Sequence, residues 1–164
     1  MTRSCGDCTM CCKVLAVAAM NKPLLTWCPQ CQIGKGCAIY ATRPAECAEF
    51  ACLWLLDETM PAELQPNKVK FVTYPHRDGY LVIDCDQQAK GVHLDKKFLP
   101  IFARLAAALE PNGGFVLICY GAQVFAMTPR AVFDLGKTRG THAIRTYVDP
   151  ATKTIGRITA EPVA

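Results

Sequence analysis

From Lys68 onward, apolar and polar positions alternate in short bursts separated by turn residues. Lys68-Val-Lys-Phe-Val-Thr-Tyr alternates, His76-Arg-Asp-Gly turns, and Tyr80-Leu-Val-Ile-Asp-Cys-Asp returns, which predicts a β-hairpin. Asp95 opens a stripe of helical period that runs to Leu109 and is closed by Pro111-Asn-Gly-Gly. Residues 115–126 read as strand, Thr128-Pro129 as the start of a short helix to about residue 137, and 142–148 with 154–159 as a second hairpin around Asp149-Pro-Ala-Thr.

Upstream of Lys68 the periodicity is broken every few positions. Residues 4–13 read either as a pair of helical turns or as a loop of metal-binding knuckles. On an ideal helix Cys5, Cys8 and Cys12 fall in one stripe, with Cys11 to its side. Residues 14–20 are apolar and predict a short buried strand, ended by Asn21-Lys-Pro. Residues 27–40 are loop-rich. Pro44 then opens a predicted helix through Leu56, with Thr42 or Arg43 near its cap; it carries Cys47, while Cys52 lies off that stripe. Two prolines mark residues 57–67 as a linker. The expected architecture is α+β: a Cys-rich, loop-and-short-helix N-terminal metal module over residues 1–56, packed on an antiparallel sheet with about two helices over residues 68–164. The alternative is that both form one compact unit.

Composition supports a folded core, with hydrophobic residues at 51% and charged ones at 20%. Residues 1–64 hold five Lys/Arg against six Asp/Glu, and residues 65–164 thirteen against eight. The basic excess is dispersed, which reads as an ordinary solvated surface and argues against nucleic acid as the partner. The start of the chain lacks a charged segment followed by an apolar run and a cleavage site, and residues 14–20 are too short to span a bilayer. A cytoplasmic protein with reduced cysteines and no membrane association is therefore expected.

That expectation bears on the most unusual feature of the chain. Nine of its eleven cysteines fall within the first 52 residues: Cys5, Cys8, Cys11, Cys12, Cys28, Cys31, Cys37, Cys47 and Cys52. Thiolates this crowded repel one another and oxidise readily unless a cation or disulfides hold them. A disulfide scaffold belongs to secreted chains, and the adjacent Cys11-Cys12 pair is awkward in one. Metal is the better reading. Zinc takes four such ligands tetrahedrally, and an iron–sulfur cluster takes the same four thiolates. The ferredoxin spacing is met by Cys5, Cys8 and Cys11, but Leu15 stands where the fourth cysteine belongs, and the one Cys-Pro is Cys28-Pro29. Zinc and an iron–sulfur cluster both remain open as the cofactor.

CxxCxxCC, a further cysteine pair, and then Gly36-Cys37-Ala-Ile-Tyr40, Arg43-Pro44, Cys47 and Phe50 resemble the zinc- or iron-chelating CxxCxxCC domain family. That broad family includes a module of bacterial flagellin lysine N-methylases. The resemblance covers roughly residues 5–52. It implies metal chelation by Cys5, Cys8, Cys11, Cys12, Cys28, Cys37 and Cys47, with Cys31 and Cys52 outside the family pattern, and it leaves open whether the protein is an enzyme. Nothing after Cys52 resembles a methylase.

The expected function is thus metal binding with a structural or redox role. One alternative is a protein-modifying enzyme, for example a methyl or sulfur transferase, using the cluster or a spare thiolate such as Cys11 or Cys52. A second is an adaptor gripping a protein partner or RNA through the basic C-terminal half. Trp27, Tyr40, Phe50 and Trp54 read as core around the site, Arg43 either as a helix start or as a charge facing thiolates, and Cys85 and Cys119 as buried structural thiols. His76, His93 and His142 lack metal-ligand spacing, and Gly136-Lys-Thr fails as a phosphate loop because residue 131 is alanine.

Overall fold

The computed structural model describes residues 3–163. Proline, glycine and cysteine interrupt the N-terminal half so often that its helices are single turns: α1 spans Met10–Val14, α2 Ala45–Glu49, α3 Leu53–Leu56 and α4 Pro66–Val69. The longer α5, Leu99–Leu109, buries Phe102 and Ala106. The strands are β1 (Cys31–Gln32), β2 (Gly36–Cys37), β3 (Phe71–Pro75), β4 (Leu81–Cys85), β5 (Val116–Tyr120), β6 (Gln123–Met127), β7 (Val132–Asp134), β8 (His142–Val148) and β9 (Ile155–Pro162). Strands β3 to β7 form one five-stranded sheet in sequential order, and β1–β2 and β8–β9 are separate two-stranded ribbons. This is a mixed α and β fold of the α+β kind.

The chain divides into two compact units. One comprises the described residues through Tyr74 together with Asp84–Lys90, and the other Pro75–Ile83 with the described residues from Gly91 onward. In the first, Met10, Val14, Cys52 and Val72 form a small core, flanked by Phe50, Trp54 and Tyr74. Arg3 pins this unit's N-terminal segment: its guanidinium donates to the carbonyls of Trp54 (2.9 Å), Asp57 (3.2 Å), Glu58 (2.9 Å) and Met60 (2.6 Å) and lies over the Trp54 ring. In the second unit Ile83, Phe102, Val116, Ile118 and Ala126 are essentially solvent-free. Tyr80 stacks between His76 and Phe115, with centroids at 4.4 and 4.9 Å.

Both predicted hairpins are present, β3–β4 around residues 76–79 and β8–β9, the latter running on to Pro162, but the first strand begins at Phe71 and not Lys68, because Lys68 and Val69 end α4 and Lys70 takes a left-handed backbone (φ 64°). Other expectations are corrected. Residues 14–20 are not a strand, because Asn21 takes a left-handed backbone (φ 48°) and reverses the chain at once; Ala18–Met20 is a 3-10 turn and Val17 pairs with Lys22. The single helix expected from Pro44 to Leu56 is two, since Phe50 and Cys52 are extended, which turns Cys52 into the core. The helix expected from Asp95 starts at Leu99; the Asp95 carboxylate instead accepts the Lys97 amide at 2.9 Å in a turn. Residues 115–126 are a hairpin, β5 and β6 joined by Gly121-Ala122, where Gly121 supplies the positive φ (64°) that a two-residue connection needs.

The helix expected at 128–137 is strand β7. Thr128 closes a turn there, its hydroxyl accepting the Ala131 amide at 3.1 Å, and the chain returns antiparallel to β6. Residues 57–67, read as a linker, hold the 3-10 turn Ala62–Leu64 and the start of α4, with Leu64 and Pro66 buried.

Candidate metal centre

All nine N-terminal cysteines belong to the first compact unit. Cys5 and Cys8 precede α1, Cys11 and Cys12 lie on it, Cys28 follows Trp27 in a loop, and Cys31 and Cys37 are opposed across the β1–β2 ribbon. Cys47 lies on α2 and Cys52 immediately before α3. Cys52 is buried, the other eight are half-buried, and among the described residues no disulfide forms.

Short backbone ties bring these segments together. The Cys8 amide donates to the Cys5 carbonyl at 2.9 Å and that of Cys31 to Cys28 at 3.0 Å, so each CxxC closes into a tight turn, as in metal knuckles. The Cys28 amide donates to the Cys12 carbonyl at 3.0 Å, joining the loop to α1. The Glu46 carboxylate accepts the amides of Ala18 (2.9 Å) and Ala19 (3.1 Å), which fixes α2, and with it Cys47, against the turn before Lys22.

The thiols influence one another electrostatically. Burial pushes Cys52 up, and Cys5 and Cys8 add to that. Burial likewise raises Cys5, with Cys8 next and the Arg43 guanidinium opposing. The Arg43 guanidinium stacks over the Tyr40 ring at 3.7 Å, and Tyr40 is exposed instead of forming core. Cys12 is raised first by a side-chain hydrogen bond with Cys11 and then by burial. Burial, followed by the Cys12 charge, pushes Cys31 up to about 11, and Cys47 is raised by burial, Cys12, Cys28 and Cys37. Cys8 is raised by burial. In the metal-free protein these groups are neutral thiols at pH 7, and a cation that binds them must displace protons.

Two buried lysines frame the group, and the sequence reading missed both. Lys13, directly after Cys12, is 5% exposed and pairs with Asp86 at 2.6 Å and Gln88 at 2.6 Å, beside the Trp27 ring. Lys22 is 4% exposed, and burial lowers its pKa below the ordinary lysine value, with the cysteine charges of Cys28, Cys12, Cys11 and Cys47 opposing. The signal for Lys13 was a charged residue inside the otherwise uncharged run 8–20; Lys22 was masked by its place in an Asn-Lys-Pro breaker. A cavity of about 460 Å³ lies next to Lys13, lined among others by Thr9, Met10, Trp27, Lys70 and Asp86.

Among the described residues, no three His, Cys, Asp or Glu side chains converge closely enough to hold a metal ion as they stand. The donor set itself fits zinc or an iron–sulfur cluster: nine N-terminal thiols in one unit, two CxxC turns, and soft sulfur ligands in excess of the four that either centre needs. Cys85 and Cys119 are buried on β4 and β5, outside this group. His93 stacks on Tyr120 at 4.2 Å, and His142 contacts the Thr141 hydroxyl. Among the described residues no helix is long and apolar enough to cross a membrane. Neither a protein-family model, nor a curated protein, nor a solved structure matches the chain.

Proposed function

We propose that the N-terminal cysteines chelate zinc or an iron–sulfur cluster, in a structural or redox role. The observation that carries this reading is the gathering of all nine into one compact unit, where CxxC turns and the Cys12–Cys28 backbone tie hold thiols near enough to act on one another. The CxxCxxCC resemblance points the same way. Loading must draw the thiols inward from their present spacing, because among the described residues no three of them converge. A tetrathiolate zinc has no open position for water, so the zinc form stabilises the fold and does not hydrolyse substrates. The cluster form supplies one-electron chemistry.

The test is a set of single substitutions with metal content as the readout. Cys8→Ser and Cys28→Ser should each lower the zinc or iron retained per chain and destabilise the first unit, whereas Cys119→Ala should leave metal content unchanged. Full retention of metal in both Cys8→Ser and Cys28→Ser would remove these residues from the ligand set.

A further inference from the structure

Cys31 and Cys37 stand directly opposite each other in the antiparallel ribbon of β1 and β2, with Gln32 opposite Gly36 towards the tip. The Ala38 amide donates to the Gln30 carbonyl at 2.8 Å, one residue outside the pair on each strand. That bond marks Cys31 and Cys37 as a pair that exchanges no backbone hydrogen bond of its own. Such pairs bring their Cα atoms to about 4.5 Å and set their side chains on one face, closer together than hydrogen-bonded pairs do. A disulfide spans about 4.4–6.8 Å between Cα atoms, so this register accepts one without parting the strands.

The ribbon is held in that register from both ends. The Lys35 amide donates to the Gln32 carbonyl at 2.8 Å and closes the turn, where Gly34 supplies a positive φ (71°). The Gly34 amide also donates to the Thr9 hydroxyl at 3.4 Å, which ties the tip to the residue before α1. At the base, the Cys31 amide donates to the Cys28 carbonyl at 3.0 Å. Both thiols are half-buried, so a small reagent reaches them.

We propose that Cys31 and Cys37 are a redox pair: when the metal-free protein is oxidised they close a cross-strand disulfide, which takes both sulfurs out of the pool open to a metal. The co-reactant is a small-molecule disulfide of the oxidised-glutathione kind. One thiol of the pair attacks it, breaking its S–S bond, forming a mixed disulfide and releasing one small thiol. The second thiol attacks the mixed disulfide at the protein sulfur, forming the Cys31–Cys37 bond and releasing the other small thiol. The protein gives up two electrons and two protons, and the small disulfide takes them. The consequence for metal rests on the metal-binding reading above, whereas the disulfide itself does not. A bridged sulfur is no thiolate ligand, so oxidation and loading exclude each other at these two residues.

The test uses the full chain, stripped of metal by a chelator and treated anaerobically with oxidised glutathione. Free thiols are then alkylated and the disulfide is mapped by tryptic digestion and mass spectrometry, since cleavage after Lys35 separates Cys31 from Cys37. The first bond to form should join the peptides that carry these two residues. Cys31→Ser and Cys37→Ser should each abolish it, and Cys28→Ser and Cys47→Ser, which alter the other cysteines of those peptides, should leave it in place. The oxidised parent should then take up less zinc per chain than the reduced parent, and a phosphine reductant should restore the difference. A first bond within Cys28–Cys31 or Cys5–Cys8, a mixture with no preferred pair, or no protein disulfide at all overturns the proposal. A Cys31–Cys37 bond with zinc uptake unchanged overturns the exclusion of metal. A reduced parent that takes up neither zinc nor iron overturns the metal-binding reading instead, and the mapped bond then decides the redox pair alone.

Discussion

Lys13 Nζ lies 2.6 Å from Asp86 Oδ2 with both side chains buried, 73 residues apart in sequence. The pair joins the helix that carries Cys11 and Cys12 to the segment after β4, and Gln88 completes it through its side-chain carbonyl. Asp86 Oδ1 in turn accepts the Gln88 amide at 3.0 Å. The ion pair is a specification of how α1 is seated more than a source of stability, because desolvating both charges offsets most of their attraction.

Removing one partner exposes that balance. Asp86→Asn leaves the Lys13 ammonium buried without its counter-ion and should cost about 3–5 kcal/mol in urea unfolding of the metal-free protein. Adding Lys13→Met should restore most of the loss. A single Asp86→Asn variant within about 1 kcal/mol of the parent would show that the ammonium escapes to solvent.

His93 gives the second unit a pH dependence of defined sign. Its ring stacks on Tyr120 and Phe125, its buried Nδ1 has no hydrogen-bond partner among the described residues, and burial holds its pKa below the ordinary 6.5. Above pH 6.5 the ring is neutral in both folded and unfolded chains. As pH falls below 6.5 the unfolded chain takes up the proton first, so stability drops, and the loss is complete once pH passes below the folded-state pKa. Unfolding curves across pH 7.5 to 5 should therefore show a decline that His93→Phe lessens. Parallel pH profiles for the two proteins would contradict this.

Gly114 is required by a close approach. A Cβ there would stand 2.6 Å from the Gly79 carbonyl oxygen and 2.9 Å from Leu109 Cβ, against backbone that cannot yield cheaply. Gly114→Ala should cost about 1–3 kcal/mol in thermal or urea unfolding. Gly156→Ala on β9, whose Cβ would meet nothing nearer than the Tyr147 carbonyl oxygen at 3.9 Å, should stay within about 1 kcal/mol of the parent.

The hairpins β3–β4 and β8–β9 were legible because alternation and turn residues agree there, a local signal that tertiary packing had no reason to override. The strand β7 was not, because Thr128-Pro129 opens a turn with the same residues that open a helix, and only the pairing with β6 decides between them. The division of 43–56 into two helices was equally hidden. The cost of leaving Cys52 outside the core is set by Met10, Val14 and Val72, which come from other parts of the chain. At the candidate site the crowding of cysteines was legible in the sequence, and all nine belong to the first unit. The two buried lysines did not announce themselves, since a lysine reads as surface until a distant Asp86, or a set of main-chain carbonyls, takes it in.

The most direct test is elemental. Protein purified anaerobically is assayed for zinc, iron and acid-labile sulfide per chain, alongside its visible spectrum. A metal–thiolate centre gives either colourless protein with stoichiometric zinc or brown protein with stoichiometric iron and sulfide, with the bound cysteines resisting thiol reagents until a chelator is added. Protein that contains neither metal, takes up neither when offered, and titrates with all nine N-terminal thiols reactive would contradict it.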